Sequence, residues 1–245
     1  MSENGANNIE VRYAMVIDQR RCTGCHACAI ACKSENQMPV GKSLNVVLTE
    51  GSNTVDIPPA NHTPLGQTCS LSDFNRTTGP RNDYLTRACQ HCEDAPCVAV
   101  CPYEATTQRE DGIVVMDPTK CKGDQCGLCM DACPYGYGTM RVLIKDSKFV
   151  PDFEFGDRQS VENIDNTVKK CTFCAHRIDR GEKPFCVDMC PSRARYFGNI
   201  NDTGSDVYRL LQKWEGHTST IPVEVGKTGT EPFVYFLKAD RPKQP

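Results

Sequence analysis

The sequence predicts an α+β fold made of two small modules, one nested inside the other. Sixteen of its 17 cysteines fall into four runs of four, and a strand–turn–strand pattern separates the second run from the third. Only 39% of the residues are hydrophobic, and the mean hydropathy is −0.48. Because cysteine is far above its usual frequency while apolar residues are scarce, we expect something besides an apolar core to hold the chain together.

The four runs have related spacings, and each ends in C-x3-C. The first run has the spacing C-x2-C-x2-C-x3-C and comprises Cys22, Cys25, Cys28 and Cys32. The second has the spacing C-x2-C-x4-C-x3-C and comprises Cys89, Cys92, Cys97 and Cys101. The third has the spacing C-x4-C-x2-C-x3-C and comprises Cys121, Cys126, Cys129 and Cys133. The fourth has the spacing C-x2-C-x11-C-x3-C and comprises Cys171, Cys174, Cys186 and Cys190. The last three runs are each followed directly by a proline, at Pro102, Pro134 and Pro191.

Three kinds of chemistry use closely spaced cysteines: disulfides, structural zinc and iron–sulfur clusters. A disulfide framework needs an oxidising compartment and has no reason to repeat C-x3-C four times. Zinc takes four ligands, usually from two separated C-x2-C pairs, and the fourth run alone would fit it. The triplet C-x2-C-x2-C of the first run fits zinc poorly. Three thiolates so close together surround one compact object and suit three corners of a cubane cluster.

A run of C-x2-C-x2-C-x3-C followed by proline is typical of bacterial ferredoxins, in which the last cysteine ligates a neighbouring cluster. Two runs that exchange their last cysteines hold two clusters, so four runs predict four clusters. The second and third runs are close in sequence, and residues 105–109, a turn at Asp111-Gly112 and residues 113–116 predict a hairpin between them. The first and fourth runs must then partner each other across the chain.

This pairing predicts two ferredoxin-like dicluster modules and divides the chain into four parts. Residues 9–32 and 161–200 form the outer module, and residues 89–146 form the inner module. Residues 33–88, rich in Asn, Thr, Pro and Gly, are predicted to be a long irregular surface insertion. Residues 201–245 are predicted to form a C-terminal helix, strand and tail.

Hydrophobic patterning supplies the individual elements. It predicts strands at 11–17, 139–144, 194–197 and 233–237, and a short helix at 27–33. The strands after the third and fourth runs match each other and indicate an internal duplication. A longer helix should run from a cap at Asp202 or Thr203 to Trp214. Its apolar face, which we expect to pack on the module body, comprises Val207, Leu210, Leu211 and Trp214. The tail, 238–245, should be frayed or bound to a partner.

Charge and hydropathy argue against several classes of protein. The net charge of −3 and the pI of about 6.0 give no indication of binding to nucleic acid or to an anionic membrane surface. Residues 1–8 are polar, and no apolar region follows the pair Arg20-Arg21. No stretch approaches the roughly 20 apolar residues of a membrane span. We therefore expect a chain without an export signal or membrane span of its own, either cytoplasmic or carried to the periplasmic or outer face of the membrane by a signal-bearing partner.

With this layout the chain resembles the four-cluster iron–sulfur subunits of the dimethyl sulfoxide reductase family of molybdenum and tungsten enzymes. The segments that carry the resemblance are RYAMVIDQRRCTGCHACAIACKSEN, CQHCEDAPCVAVCPYEATTQREDGIVV, CGLCMDACPYG and KKCTFCAHRIDRGEKPFCVDMCPSRAR. The resemblance implies electron transfer in anaerobic respiration through four 4Fe–4S clusters. It also implies a large catalytic partner with a bis-pterin metal centre, and a quinone-reactive membrane subunit or another carrier. No residue set indicates a catalytic site in this chain itself.

The family's ligand scheme, transferred to the matching cysteines, implies four ligand sets. Set one is Cys22, Cys25, Cys28 and Cys190. Set two is Cys32, Cys171, Cys174 and Cys186. Set three is Cys89, Cys92, Cys97 and Cys133. Set four is Cys101, Cys121, Cys126 and Cys129. Most relatives have C-x2-C-x2-C in the third run, whereas four residues separate the first two cysteines here, and some relatives hold a three-iron cluster at this place. Since all four cysteines are present, a 4Fe–4S cluster is the expectation for set four.

Several polar residues lie beside the runs. Four cations are candidates for raising cluster potentials, with solvated charges or contacts to backbone or to a partner as the alternative: Lys33, Lys169, Lys170 and Arg177. Three histidines are expected to neighbour the ligands rather than to serve as ligands: His26, His91 and His176. Cys69, in the insertion, is expected to be an incidental thiol.

Two other functions stay open at this point. One is the equivalent subunit of a formate dehydrogenase or hydrogenase, although those often carry a hydrophobic anchor or an export signal. The other, from a different class, is a zinc-bound structural or interaction module, which would be colourless where iron–sulfur clusters are brown.

Overall fold

The computed structural model describes residues 10–50, 83–135, 140–145, 157, 159–160, 162–216, 218–220 and 229–237. These residues form a mixed α+β fold of short strands and mostly single-turn helices, as the sequence predicts. The strands are β1 Tyr13–Asp18, β2 Val46–Glu50, β3 Asp83–Arg87, β4 Thr106–Gln108, β5 Val114–Met116, β6 Arg141–Ile144, β7 Thr167–Lys170, β8 Arg195–Asn199, β9 Thr218–Ser219 and β10 Val234–Leu237. The helices are α1 Ala27–Glu35, α2 Pro96–Ala99, α3 Leu128–Asp131, α4 Ala175–Ile178, α5 Phe185–Asp188 and α6 Asp206–Lys213, with a 3-10 turn at Gly123–Gln125.

The largest sheet joins the two ends of the described chain. Its order is β8-β1-β10-β9, with β1 antiparallel to β8 and parallel to β10. Residues 14–17 of β1 are at most 3% exposed, because this central strand is covered on both faces. The predictions of strands at 11–17, 194–197 and 233–237 are confirmed by β1, β8 and β10 to within two residues at each end.

Helix α6 packs on this sheet, as predicted, but it begins later than expected. Its Val207 is fully buried against Ala14, Val16 and Leu237. The helix cap is Ser205, whose Oγ accepts a hydrogen bond from the Val207 amide at 3.1 Å. Cap positions at Asp202 or Thr203 are therefore wrong. Asp202 instead closes the preceding turn, where its Oδ1 accepts from the Gly204 amide at 2.8 Å.

Two hairpins lie around the middle runs. The β4–β5 hairpin and its Asp111-Gly112 turn are confirmed, and the Gly112 amide donates to the Arg109 carbonyl at 2.9 Å. In the second hairpin, β6 pairs antiparallel with β7, the strand directly before the fourth run. Strand β7 was not expected from its sequence TVKK. All four of its residues are buried, including Lys169 and Lys170.

The segment 33–88 is not irregular at its ends. Val46–Glu50 and Asp83–Arg87 pair antiparallel as β2 and β3. Met38, Leu44 and Val47 are at most 1% exposed, so this part of the segment belongs to the core rather than to the surface. Residues 51–82, with Cys69, lie outside the described residues, as do residues 1–9, position 139 and the tail 238–245.

The short helices that carry the cysteines pack in pairs. Helix α1, from the first run, packs against α5, from the fourth, and α2, from the second run, packs against α3, from the third. The main apolar cluster contains the thiols of Cys28, Cys92 and Cys186 together with side chains such as Ile113 and Phe236. No helix in the described parts of the chain is both long enough and apolar enough to cross a bilayer.

Candidate metal centres

Each cysteine run forms a loop whose backbone turns sharply before a short helix. Several residues in these loops have positive φ, among them His26, His91 and Phe173. The turns aim backbone N–H groups at thiols: Gly123 N lies 3.3 Å from Cys121 Sγ, and Phe173 N lies 3.4 Å from Cys171 Sγ. Such N–H donors stabilise negative charge on sulfur, as a metal-bound thiolate requires.

Set one gathers residues from opposite ends of the chain. Cys22, Cys25, Cys28 and Cys190 line one cavity. The pairing of β1 with β8 and the packing of α1 on α5 bring Cys190 to the first run. Cys28 is buried, but Cys25 is exposed, so set one reaches the molecular surface.

Set two lies deeper. Cys32, Cys171, Cys174 and Cys186 line a second cavity, whose other walls include Ile17, Phe173 and Val234. These apolar walls belong to the main core cluster. Burial alone raises the pKa of Cys32 and Cys174 well above the usual thiol range, and nearby thiols raise it further.

Set four lies in the inner part of the chain. Cys101, Cys121, Cys126 and Cys129 line a third cavity, which also has Tyr103 and Leu128 in its wall. The four residues between Cys121 and Cys126, two more than in C-x2-C, contain the 3-10 turn Gly123–Gln125. This turn is fixed from outside the run, since the Asp124 amide donates to Asn166 Oδ1 at 3.2 Å.

The thiols of set three share one neighbourhood. Burial, together with the nearby thiols of Cys89 and Cys97, raises the pKa of Cys92 to about 12. Burial likewise raises the pKa of Cys133 to about 11, with Cys89 and Cys97 again nearby. The structure thus brings the four residues of this set close together.

Neighbouring sets follow one another in a row. The nearby Cys28 thiol of set one contributes to raising the pKa of Cys186 in set two, and Cys89 of set three does the same for Cys171 in set two. Cys97 of set three in turn contributes to raising the pKa of Cys129 in set four. Thiols of set one thus lie near those of set two, thiols of set two near those of set three, and thiols of set three near those of set four.

The spacing of the thiols distinguishes clusters from single zinc ions. Zinc–sulfur bonds of about 2.3 Å in a tetrahedron place sulfur atoms about 3.8 Å apart. Among the described residues, the only group of three or more metal-ligating side chains whose ligand atoms all lie within 4.8 Å is Glu35, Asp157 and His176. No cysteine set is that compact. Four thiols around a wider space fit an iron–sulfur cluster ligated by four cysteines.

The compact group of Glu35, Asp157 and His176 is an ion-pair network. His176 Nε2 lies 3.0 Å from Glu35 Oε1. Arg177 Nη1 also approaches this carboxylate, at 3.5 Å, and Arg180 Nη2 lies 2.6 Å from Asp157 Oδ2. Since both carboxylates already face guanidinium groups, this network ties the end of α1 to α4 and does not favour a metal ion.

The four cations singled out from the sequence contact backbone and carboxylate oxygens. Lys33 Nζ donates to the Pro39 carbonyl at 2.6 Å, and Lys169 Nζ donates to the Asn36 carbonyl at 3.1 Å. Lys170 Nζ donates to the carbonyls of Val114 and Cys171. Arg177 Nη2 pairs with Asp188 at 2.8 Å. These contacts agree with the alternative of contacts to backbone, although the charges of Lys169 and Lys170 also lie near the thiols of Cys32 and Cys171.

Two buried arginines that sequence reasoning missed also lie among the thiols. Arg195 begins β8, and its Nη1 lies 3.6 Å from Cys186 Sγ. Arg141 begins β6, and although burial would lower its pKa, the nearby thiols of Cys97 and Cys129 raise it. Both are at most 6% exposed. The only sequence signal was a charge at the start of each short apolar strand.

His91 is the most buried of the three neighbouring histidines. Its ring stacks on Phe173 with 3.7 Å between centroids, and its Nδ1 accepts a hydrogen bond from the Val114 amide at 3.1 Å. Burial, followed by the charges of Lys170 and Arg141, holds its pKa well below the usual histidine range. A neutral ring packed between sets two and three agrees with a residue beside the ligands.

The chain is similar to one protein family and to several known proteins. A family described as "4Fe-4S dicluster domain" matches residues 81–145 and 158–200. The chain is 40% identical to a Halobacterium salinarum protein provisionally named as the iron–sulfur subunit of a dimethyl sulfoxide reductase, over 93% of this chain and 79% of that protein. It is 36% identical to the B subunit of tetrathionate reductase from Salmonella typhimurium, over 94% of this chain and 73% of that protein. It is 30% identical to the arsenate respiratory reductase iron–sulfur subunit of a Shewanella species, over 94% of this chain and 97% of that protein.

Proposed function

Because this chain belongs to the family of iron–sulfur subunits of dimethyl sulfoxide, tetrathionate, selenate and arsenate reductases, we propose that it passes electrons through four 4Fe–4S clusters within such a complex. At one end it would meet a large molybdenum or tungsten bis-pterin catalytic subunit. At the other it would meet a quinone-reactive membrane subunit or another redox carrier. The chain itself would transform no substrate.

The observation that carries the proposal is the grouping of thiols. Sets one, two and four each line a cavity of their own, and set three shares one electrostatic neighbourhood. We assign one cluster to each set. When bound, each cluster would accept and release one electron at a time, while the thiolates hold it and apolar walls such as Ile17 and Phe173 exclude water.

The packing of the runs supports two nested modules. First-run and fourth-run helices pack together, as do second-run and third-run helices. The outer ferredoxin-like module would therefore enclose sets one and two, and the inner module sets three and four. The pairing of β1 with β8, which joins the segments that carry the first and fourth runs, supports this nesting.

The row of sets supports a path for transfer without fixing which end is the donor. Set one lies at the surface, where Ile30 and Met189 beside its ligands are 66% and 49% exposed. At set four, Tyr103 and Leu128 are 44% and 46% exposed. Exposed apolar side chains at both ends are suited to contacts with two different redox partners.

The test is anaerobic purification of the native complex through a tag on this chain. We expect a brown preparation with about sixteen iron atoms per chain, no stoichiometric zinc, and a co-purifying large subunit that contains molybdenum or tungsten. Zinc in place of iron would support the structural or interaction module instead. A three-iron EPR signal in the oxidised protein would contradict the 4Fe–4S assignment of set four. A partner with formate dehydrogenase or hydrogenase activity would move the chain to that rival complex.

A further inference from the structure

Arg195 is a buried cation whose surroundings are thiols rather than carboxylates. It is 6% exposed, and its Nη1 approaches Cys186 Sγ at 3.6 Å and Met15 Sδ at 3.4 Å. Its Nη2 donates to Asn45 Oδ1 at 3.2 Å. It lines the cavities of both set one and set two. Burial alone would lower its pKa, but the neighbouring thiolates of both sets outweigh burial and raise it.

Arg141 occupies the corresponding place between sets three and four. It is 2% exposed, and although burial would lower its pKa, the nearby thiols of Cys97 in set three and Cys129 in set four raise it. Its Nη1 donates to Thr106 Oγ1 at 3.4 Å. Its Nη2 is buried and has no hydrogen-bond partner among the described residues. A guanidinium N–H left over in this way is available to sulfur atoms of a bound cluster.

The two arginines share a position as well as an environment. Each is the first residue of the strand that follows a run, β6 after the third and β8 after the fourth. Within the described parts of the chain, neither lies within 4.0 Å of a carboxylate. A buried charge without an opposite charge is strongly unfavourable. The negative charge of two thiolate-ligated clusters is what would neutralise it here.

We propose that Arg195 and Arg141 each raise the reduction potentials of the two clusters between which they lie. The inference rests on the proposed function. Reduction adds one electron to a cluster that is already anionic, and a fixed positive charge beside it favours the reduced form. Because each guanidinium lies near thiols of both sets in its module, it also reduces the repulsion between the two clusters when both are reduced. Each arginine thereby affects the potentials of both clusters in its module.

The experiment compares four variants in the whole complex: Arg195→Gln, Arg195→Lys, Arg141→Gln and Arg141→Lys. Potentials are read by redox titration followed by EPR, with signals assigned from Cys→Ser variants of each set, and iron is counted in every sample. We expect Arg195→Gln to change the reduced-to-oxidised ratio of clusters one and two at least tenfold toward oxidised, about 59 mV for a one-electron couple. Clusters three and four should keep their potentials. Arg141→Gln should give the reciprocal pattern, so each variant is the matched control of the other.

The Lys variants separate charge from packing, because they keep the positive charge and lose the planar guanidinium. We expect them to stay closer to the original potentials than the Gln variants. Unchanged potentials in both Gln variants, equal shifts of all four clusters, or Lys variants that shift as far as Gln variants would each overturn the inference. If one Gln variant loses its iron, the inference is judged from the cluster potentials of the other Gln variant alone. Loss of iron from both would also overturn it, since the arginines would then be required for holding clusters. An original protein without iron would instead refute the proposed function.

Discussion

Gly123 and Gly127 provide a matched pair of substitutions within the third cysteine run. Both have a left-handed backbone, with φ of +54° and +66°. A Cβ added at Gly123 would collide with the carbonyl group of Asn166, whereas one added at Gly127 would meet no described atom within 4 Å. Gly123→Ala therefore introduces a clash that Gly127→Ala does not.

The expected free energies follow from these two environments. An alanine in the left-handed region costs about 1–2 kcal/mol at either position. At Gly123 the clash also separates the turn from Asn166, so the hydrogen bonds from Gly123 N to Cys121 Sγ and from Asp124 N to Asn166 Oδ1 are lost. At about 1 kcal/mol each, these bring the total to about 3–4 kcal/mol. Cys121 then loses its fixed position in set four.

The assay is a thermal scan under anaerobic conditions together with iron analysis. For a chain of this length we expect Gly127→Ala to lower the Tm by about 3–6 °C and Gly123→Ala to lower it by about 10 °C. Gly127→Ala should keep its iron, whereas Gly123→Ala should lose about four of roughly sixteen iron atoms per chain. Equal Tm values and equal iron contents for the two variants would refute the argument that Asn166 fixes the added residues of the third run.

Three further outcomes are expected. Cys186→Ser and Cys190→Ser, four residues apart in sequence, should abolish the EPR signals of two different clusters, two and one, while Cys69→Ser keeps both; loss of the same signal in both variants would contradict the ligand sets. Ser205→Ala removes the cap of α6 and should cost about 1 kcal/mol, seen as a Tm lower by about 2–4 °C at unchanged iron content, and an unchanged Tm would show that the cap contributes nothing. Iron removal by a chelator should abolish the near-UV CD signal of tertiary packing, because thiols form part of the main apolar cluster and metal binding supplies folding free energy; a packed apoprotein would argue that the apolar core suffices.

The sequence predicted those features that depend on neighbours along the chain. The β4–β5 hairpin is signalled by Asp111-Gly112, because this dipeptide adopts a tight turn by itself. The cysteine spacings are local for the same reason, since a loop around one cluster must place its ligands a few residues apart. The apolar face of α6 follows from helical periodicity, and Val207 is indeed fully buried.

Features that depend on distant pairing were not predictable. Strand β7 is buried although half of it is lysine, because Lys169 and Lys170 donate to the distant carbonyls of Asn36 and Val114, which no local pattern reveals. Strands β2 and β3 pair across more than thirty residues rich in loop formers. Arg141 and Arg195 look like surface charges in the sequence, and only the packing shows that thiols surround them.

The position of β1 at the centre of the large sheet has a consequence for synthesis. Met15 is made about 220 residues before its parallel partner Val234. At about 5–20 residues per second, the first strand waits roughly ten to forty seconds for its neighbours. Until then an apolar strand with unpaired edges is exposed, which is a recognised aggregation hazard. A chaperone or an assembly factor that covers β1 until β8 and β10 are made would reduce this hazard, and the proposed outer clusters could be completed only after Cys190 has been made.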